Sequence, residues 1–205
     1  MANSVNNLAS LYSLQGRYAE AEPMYLRSLS IEEKYLGPDH PDVACNLNNL
    51  AQLYFSQKKY AQAETLLRRA LAIREKALGP NSPSVAEILD NLAGVLLLEY
   101  KQVNVDLLYL RSLAIRRKVF GPESPQVMPS LNGLALAYTQ EGKLPEAEQT
   151  YAEVLTLMAK LKQPDARALA RVYVNLADLY SREGKRKKAR KMAEKAKSLQ
   201  DQMAS

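Results

Sequence analysis

The chain carries one cysteine, Cys45, one histidine, His40, and no tryptophan. A lone thiol excludes an internal disulfide and any multi-cysteine metal site, and a lone imidazole leaves little material for zinc or nucleophilic chemistry. His40, in "GPDHPD", reads as a loop or cap residue and Cys45 as a small half-buried one. No catalytic residue, metal or cofactor is therefore expected, and a reducing, cytoplasmic home fits. Long apolar runs are also missing. The longest aliphatic run, Val95 to Leu98, falls far short of a bilayer span, and "MANSVNNLASLY" has neither the basic start nor the apolar stretch of a secretory signal. No membrane partner is expected.

A net charge of +6 points toward polyanions only until it is located. Between Arg182 and Lys197 nine Lys or Arg stand against Glu183 and Glu194, which leaves the remaining chain near neutral. The basic stretch reads as a solvated capping helix, because the terminal unit of a repeat array must present a polar outer face. Nucleic acid is kept as an alternative partner rather than the main one.

What the sequence has in abundance is repetition. Asn6-Asn7-Leu8-Ala9 recurs as Asn48-Asn49-Leu50-Ala51, Asp90-Asn91-Leu92-Ala93, Asn132-Gly133-Leu134-Ala135 and Val174-Asn175-Leu176-Ala177, each 42 residues after the last. Gly37-Pro38, Gly79-Pro80, Gly121-Pro122 and the decayed Gln163-Pro164 keep the same beat. A fixed period of this length marks a solenoid or propeller. Leu47, Leu50, Ala51 and Tyr54 stand at i, i+3, i+4 and i+7, the stripe of an amphipathic helix, which excludes a propeller blade. A second stripe runs from Tyr60 through Ala63, Leu67, Ala70 and Ile73 to Leu78, where Gly79-Pro80 stops it. Each unit is thus a helical hairpin. The first helix of a unit is expected to open at Pro41, Pro83 or Pro125, after His40, Ser82 or Ser124, since a proline loses nothing where its N–H would be unpaired.

The fold class predicted is all-α, a right-handed superhelical solenoid of five helix-turn-helix repeats in one domain, 1–205. Its repeats run over 1–40, 41–82, 83–124, 125–166 and 167–205. The first is read as lacking its opening turn at Met1, an edge that would expose apolar surface and favour self-association. The third is irregular: Tyr100 stands where Gly16 and Gly142 make turns, and Val103 and Val105 replace alanines.

Leu50, Ala51, Tyr54, Tyr60, Ala63 and Ala70 fall at the offsets of the tetratricopeptide repeat signature, whose usual unit has ~34 residues. The long form here, with "LGPDHPDVA", "NNLA" and "LAIREKALGP", resembles the repeats of kinesin light chain over nearly the whole chain. That resemblance implies a non-catalytic scaffold that binds a protein or peptide. Kinesin light chains hold short cargo peptides, an aromatic residue flanked by acidic ones, in the concave groove with Asn and basic side chains. The Asn positions carry over onto this chain, while its clearest groove cations, Arg171 and Arg182, lie in the last repeat and Glu87 and Asp90 add negative charge at the centre. No heptad-rich segment precedes Asn3, as it does in a complete kinesin light chain. The same long repeat occurs in bacterial signalling proteins, so a regulatory sensor module of a larger protein is the alternative function, with RNA binding through the basic end a third.

The first helices of stacked hairpins line the concave face. On that face an amide ladder is expected from Asn6, Asn7, Asn48, Asn49, Asp90, Asn91, Asn132 and Asn175, with Gln52 one turn on. Each amide offers a donor and an acceptor to the main chain of an extended peptide, or to the next hairpin's ladder. Phe55, Leu97 and Leu98 stand where other repeats carry Ser13, Thr139, Gln140 or Ser181, and are the candidate side-chain pockets. Their alternative is inward repacking in the irregular repeat.

Overall fold

The computed structural model describes residues 2–99 and 104–204. Met1, Tyr100 and Val103, on which the readings of the first and third repeats partly rest, lie outside them. Every regular element among the described residues is a helix, and none is a strand. They pair as hairpins: α1 (Ala2–Leu14) with α2 (Tyr18–Leu36), α3 (Pro41–Ser56) with α4 (Tyr60–Leu78), and α5 (Pro83–Leu98) with α6 (Val105–Phe120). Two more follow, α7 (Met128–Gln140) with α8 (Leu144–Ala159) and α9 (Ala166–Arg182) with α10 (Arg186–Ala204). The chain forms two compact units, Met1–Ile115 and Arg116–Ser205.

The first unit is held by the stripes that the repeat predicts. Ala9, Ala21, Ala51 and Ala63 are buried, and with no side chain beyond Cβ they let the two helices of a hairpin approach closely. Leu47, Leu50, Leu53 and Leu67 fill the layer around them. Val85, Ala86, Leu89 and Ile115 form a cluster between α5 and α6, against which Leu71 and Leu108 pack. Ser28 and Ser112 hold equivalent, fully buried places in two hairpins. Each hydroxyl donates to a carbonyl, that of Ala2 and that of Ala86, at 2.9 Å, so neither is left unpaired.

The turns inside hairpins one, two, four and five share one closure. The amide of Arg17 donates to the Tyr12 carbonyl at 2.9 Å, Lys59 to Tyr54 at 2.8 Å, Lys143 to Tyr138 at 2.9 Å and Lys185 to Tyr180 at 2.8 Å. This six-to-one bond requires a left-handed residue just before the donor. Gly16, Gly142 and Gly184 supply it, but hairpin two uses Lys58 at φ 61°, a conformation that costs a residue with a Cβ about 1–2 kcal/mol.

Helix starts follow the proline expectation with one correction. His40 caps α3, its Nδ1 accepting from the Asp42 amide at 3.2 Å, and Ser82 caps α5 from Val85 at 3.4 Å. Pro125, however, opens a 3-10 turn (Pro125–Val127) and the α-helix starts only at Met128. The second proline, Pro129, explains this: it has no N–H for the Pro125 carbonyl, which accepts from Met128 instead. Ser124 makes no capping bond. After the decayed loop at Gln163-Pro164, Asp165 caps α9 by accepting from Arg167 at 2.9 Å.

Exposed ion pairs repeat with the hairpins. In the first unit Glu33 meets Arg69 at 2.7 Å and Glu75 meets Arg111 at 2.6 Å. The same guanidiniums donate to the Pro38 and Pro80 carbonyls at 3.1 Å, tying each Gly-Pro loop to the following hairpin. In the second unit the same two positions hold Arg117 and Glu153, 2.6 Å apart, with the charges exchanged.

Candidate functional site

Seven of the candidate residues converge on the furrow between α3 and α5. Gln52, Phe55, Asp90 and Asn91 line a hollow of about 120 Å³, with Ala51, Leu67, Gly94 and Val95 as its floor and walls. Toward the starts of the same helices a second hollow of about 200 Å³ is lined by Asn6, Asn48 and Asn49 together with Cys45, Arg74, Ser84 and Glu87. On α5, residues 87, 90, 91 and 94 share one face, as i, i+3, i+4 and i+7 must. The furrow therefore changes along its length from an amide-rich end to an apolar end.

The amides are engaged with one another. Asn49 donates to the Asn6 side-chain oxygen at 3.3 Å, and Asn91 to that of Asn48 at 2.9 Å. Asn48, largely buried, in turn donates to Glu87 at 3.3 Å. The second Asn of one hairpin thus addresses the first Asn of the hairpin before it. In hairpin four the residue in the donor position is Gly133, which has no side-chain amide to offer. The alternative reading of the ladder, hydrogen bonding between hairpins, describes these three bonds. Gln52 remains exposed on the same face.

The apolar hollow exists because two positions are smaller than their counterparts. Tyr25, Tyr109 and Tyr151 fill the place equivalent to Leu67 in hairpins one, three and four, and all three are buried. Gly94 stands where Ser10, Gln52 and Leu136 carry side chains. A Cβ at Gly94 would meet only the Tyr109 hydroxyl, at 3.6 Å, so the glycine is not forced by crowding. Burial, with the nearby Asp90 carboxylate, pushes the Tyr109 hydroxyl well above the usual phenol range. Phe55 is 37% exposed on the rim, edge-on to Tyr60 with ring centroids 5.8 Å apart.

The remaining candidates lie elsewhere. Asn7 is exposed and outside both hollows. Leu97 is 2% exposed and points into the core, whereas its neighbour Leu98 is 40% exposed. Asn132 and Asn175 are half-buried in the second unit, where Asn175 and Thr139 neighbour the Tyr151 hydroxyl. Leu67, Gly94, Arg74 and Ser84 were not among the sequence candidates. The signal for the first two was available as a loss of size against the other repeats. Arg74 and Cys45 make a side-chain contact at the polar end.

The basic helix α10 packs its apolar side, centred on buried Ala196, toward α9. Lys185 and Lys188 pair with Glu148 at 3.4 and 3.1 Å, Arg190 with Glu194 at 2.8 Å, and Lys195 lies over the Tyr173 ring. Among the described residues no helix is long and apolar enough to cross a membrane, and no cluster of His, Cys, Asp or Glu is placed to hold a metal.

This all-helical hairpin array is a protein-interaction fold, and its family is shown directly. The tetratricopeptide repeat family model matches residues 1–76, 42–101, 108–160 and 127–202, and the chain belongs to that family. Its repeats are of the kinesin light chain-like type. In solved structures the chain is similar to BtubC (BKLC) from P. vanneervenii, at 24% identity and a TM-score of 0.83 over 99% of this chain and 81% of that one. It is also similar to a kinesin light chain-type protein of nearly identical TPR-like repeats from Podosopora anserina. Two crystal structures of that protein give TM-scores of 0.80 and 0.78 at 25% identity, over 98% of this chain and 95% of theirs. No curated protein matches the chain.

Proposed function

We propose that the protein is a non-catalytic scaffold that binds an extended segment of a partner protein in the furrow between α3 and α5. The observation that carries this reading is the convergence of Asn6, Asn48, Asn49, Gln52, Phe55, Asp90 and Asn91 on two adjoining hollows of one face. Amide side chains supply donors and acceptors to a peptide main chain, each bond contributing about 1 kcal/mol net. The apolar hollow supplies selectivity by burying one side chain. Its volume of about 120 Å³ is close to the ~150 Å³ of a cavity known to hold benzene. Leu98, exposed at the end of α5, is proposed as a further apolar contact beyond the hollow. Asn132 and Asn175 are proposed as a separate set of main-chain contacts in the second unit.

The test is a peptide-array screen followed by titration of the best hit against Phe55→Ser, which installs the residue found at Ser13 and Ser181. Phe55 lies on the rim, so the variant should melt with the wild type. Weaker peptide binding at an unchanged melting temperature supports the furrow. Unchanged affinity in the variant removes the furrow from the function.

A further inference from the structure

The apolar hollow bordered by Leu67 and Gly94 sits beside two carboxylates, and that combination specifies more than a generic peptide. Asp90 lines the hollow itself, and Glu87 precedes it by three residues on the same face of α5, a spacing that puts the two side chains about 5–6 Å apart. Among the described lining residues Arg74 is the one base; it shares the amide-rich hollow with Glu87, in contact with Cys45, and does not line the apolar hollow that Asp90 borders. An extended chain advances about 3.3 Å per residue. A residue next to, or one beyond, the side chain buried in the hollow therefore falls opposite Asp90 or Glu87.

Resting on the reading of the furrow as a peptide site, we propose that its partner segment carries an aromatic or aliphatic anchor adjacent to a lysine or arginine. The anchor enters the space left by Leu67 and Gly94, and the cation lies against Asp90 and Glu87. An acidic neighbour would face like charge in a partly dry furrow, which disfavours it on electrostatic grounds. The sign of the rim is thus opposite to that required by a cargo segment with acidic flanks.

Three blocked, fluorescently labelled hexapeptides of otherwise identical Gly/Ser composition test this by fluorescence anisotropy: one with a central Phe-Lys, one with Phe-Glu and one with Ala-Lys. The Phe-Lys peptide should bind roughly tenfold or more tighter than either of the others. Leu67→Tyr, which restores the residue used in three other hairpins, should abolish that advantage over Ala-Lys while the protein melts no lower. Gly94→Ser is the second filling variant should Leu67→Tyr fail to fold. Asp90→Asn with Glu87→Gln should erase the preference for Lys over Glu but keep the dependence on Phe. Equal or tighter binding of the Phe-Glu peptide, or Phe-Lys binding that survives both filling variants, overturns the inference and leaves the furrow as a binding site. Failure of every peptide, including the hits of the unbiased screen, overturns both.

Discussion

The Tyr54 hydroxyl donates to the Glu22 carboxylate at 3.1 Å, joining hairpin two to hairpin one, and the same bond recurs in the second unit between Tyr180 and Glu148 at 2.7 Å. In each case the lysine five residues after the tyrosine closes a triangle. Lys59 lies 3.3 Å from Glu22 and over the Tyr54 ring, and Lys185 lies 3.4 Å from Glu148 and over the Tyr180 ring. The tyrosines are thus interfacial pins as well as packing. In hairpin three the equivalent residue is Leu96, which has no hydroxyl to donate, and Glu64 pairs within its own helix with Arg68 at 2.8 Å.

Removing one pin should be measurable. Tyr54→Phe keeps the ring and deletes a hydrogen bond to a charged acceptor, which is expected to cost about 1.5–3 kcal/mol. Burial opposes ionisation of Glu22, but the hydrogen bonds from Lys59, Tyr54 and Gln57 outweigh it and hold its pKa below the ordinary value. A depressed carboxylate contributes stability that is present above the unfolded pKa and lost as pH falls through the folded one. Urea midpoints of wild type and Tyr54→Phe should therefore differ at pH 7 and converge below pH 4.5, the ordinary glutamate value. An equal gap at both pH values would show that the ring, rather than the bond, had been perturbed.

Glu32 should behave with the opposite sign. It is 3% exposed, and burial, reinforced by Asp42, raises its pKa although Asn46 donates to it and the Ser28 hydroxyl lies 3.4 Å away. A raised carboxyl favours the folded state while protonated, and this contribution is lost as pH climbs from the unfolded pKa through the folded one. Glu32→Gln retains an oxygen for Asn46 and removes the charge. Its melting temperature should exceed wild type at pH 7 and match it at pH 4. A lower melting temperature at pH 7 would mean that the ionised carboxylate is favourably held.

Asparagines at one repeat position in different hairpins, Asn7 and Asn91, should not be equivalent, because only Asn91 has a first Asn of a preceding hairpin to address. Asn91→Ala strips the donor from the Asn48 oxygen inside a largely buried side chain, and such an orphan costs about 1–3 kcal/mol. Asn7→Ala, at an exposed position, should stay within about 0.5 kcal/mol of wild type. Chemical denaturation of the two variants decides this, and equal effects would show that the Asn91–Asn48 bond carries no stability.

Adjacent leucines offer the sharpest contrast. Leu97→Ser empties a buried site and places a hydroxyl there, which should cost at least the ~2–5 kcal/mol of a core leucine truncation. Leu98→Ser should be nearly silent in stability. Similar melting curves for the two would place Leu97 outside the core.

The hairpins and most of their boundaries were legible because stripe, turn and stop recur together, so each copy corrects the others. Pro125 misled because its local pattern matches Pro41 and Pro83, while the residue that shifts the helix, Pro129, lies within the first turn. Lys58 shows the reverse: a turn made by glycine elsewhere keeps its geometry with a residue that dislikes it, because the six-to-one bond and the packed helices fix the turn. The amide ladder was visible as residues, but not the one-residue offset that joins Asn49 to Asn6, which depends on how neighbouring helices are displaced. The apolar hollow was hardest to read, since it is made by absence. Leu67 looks like ordinary core until it is compared with Tyr25, Tyr109 and Tyr151.

The exchange of charge between the Glu75–Arg111 and Arg117–Glu153 pairs has a consequence for how such a chain folds. Near-identical hairpins invite wrong neighbours, a characteristic failure of repeat proteins. Were hairpin four to dock behind hairpin two or one, Glu153 would face Glu75 or Glu33, and Arg117 would be left facing no acid. Each exposed pair contributes little to stability, about 0–1 kcal/mol. Their signs nonetheless act as an ordinal mark: Glu153 finds its base at Arg117, whereas Glu33 or Glu75 in that place would meet it with like charge.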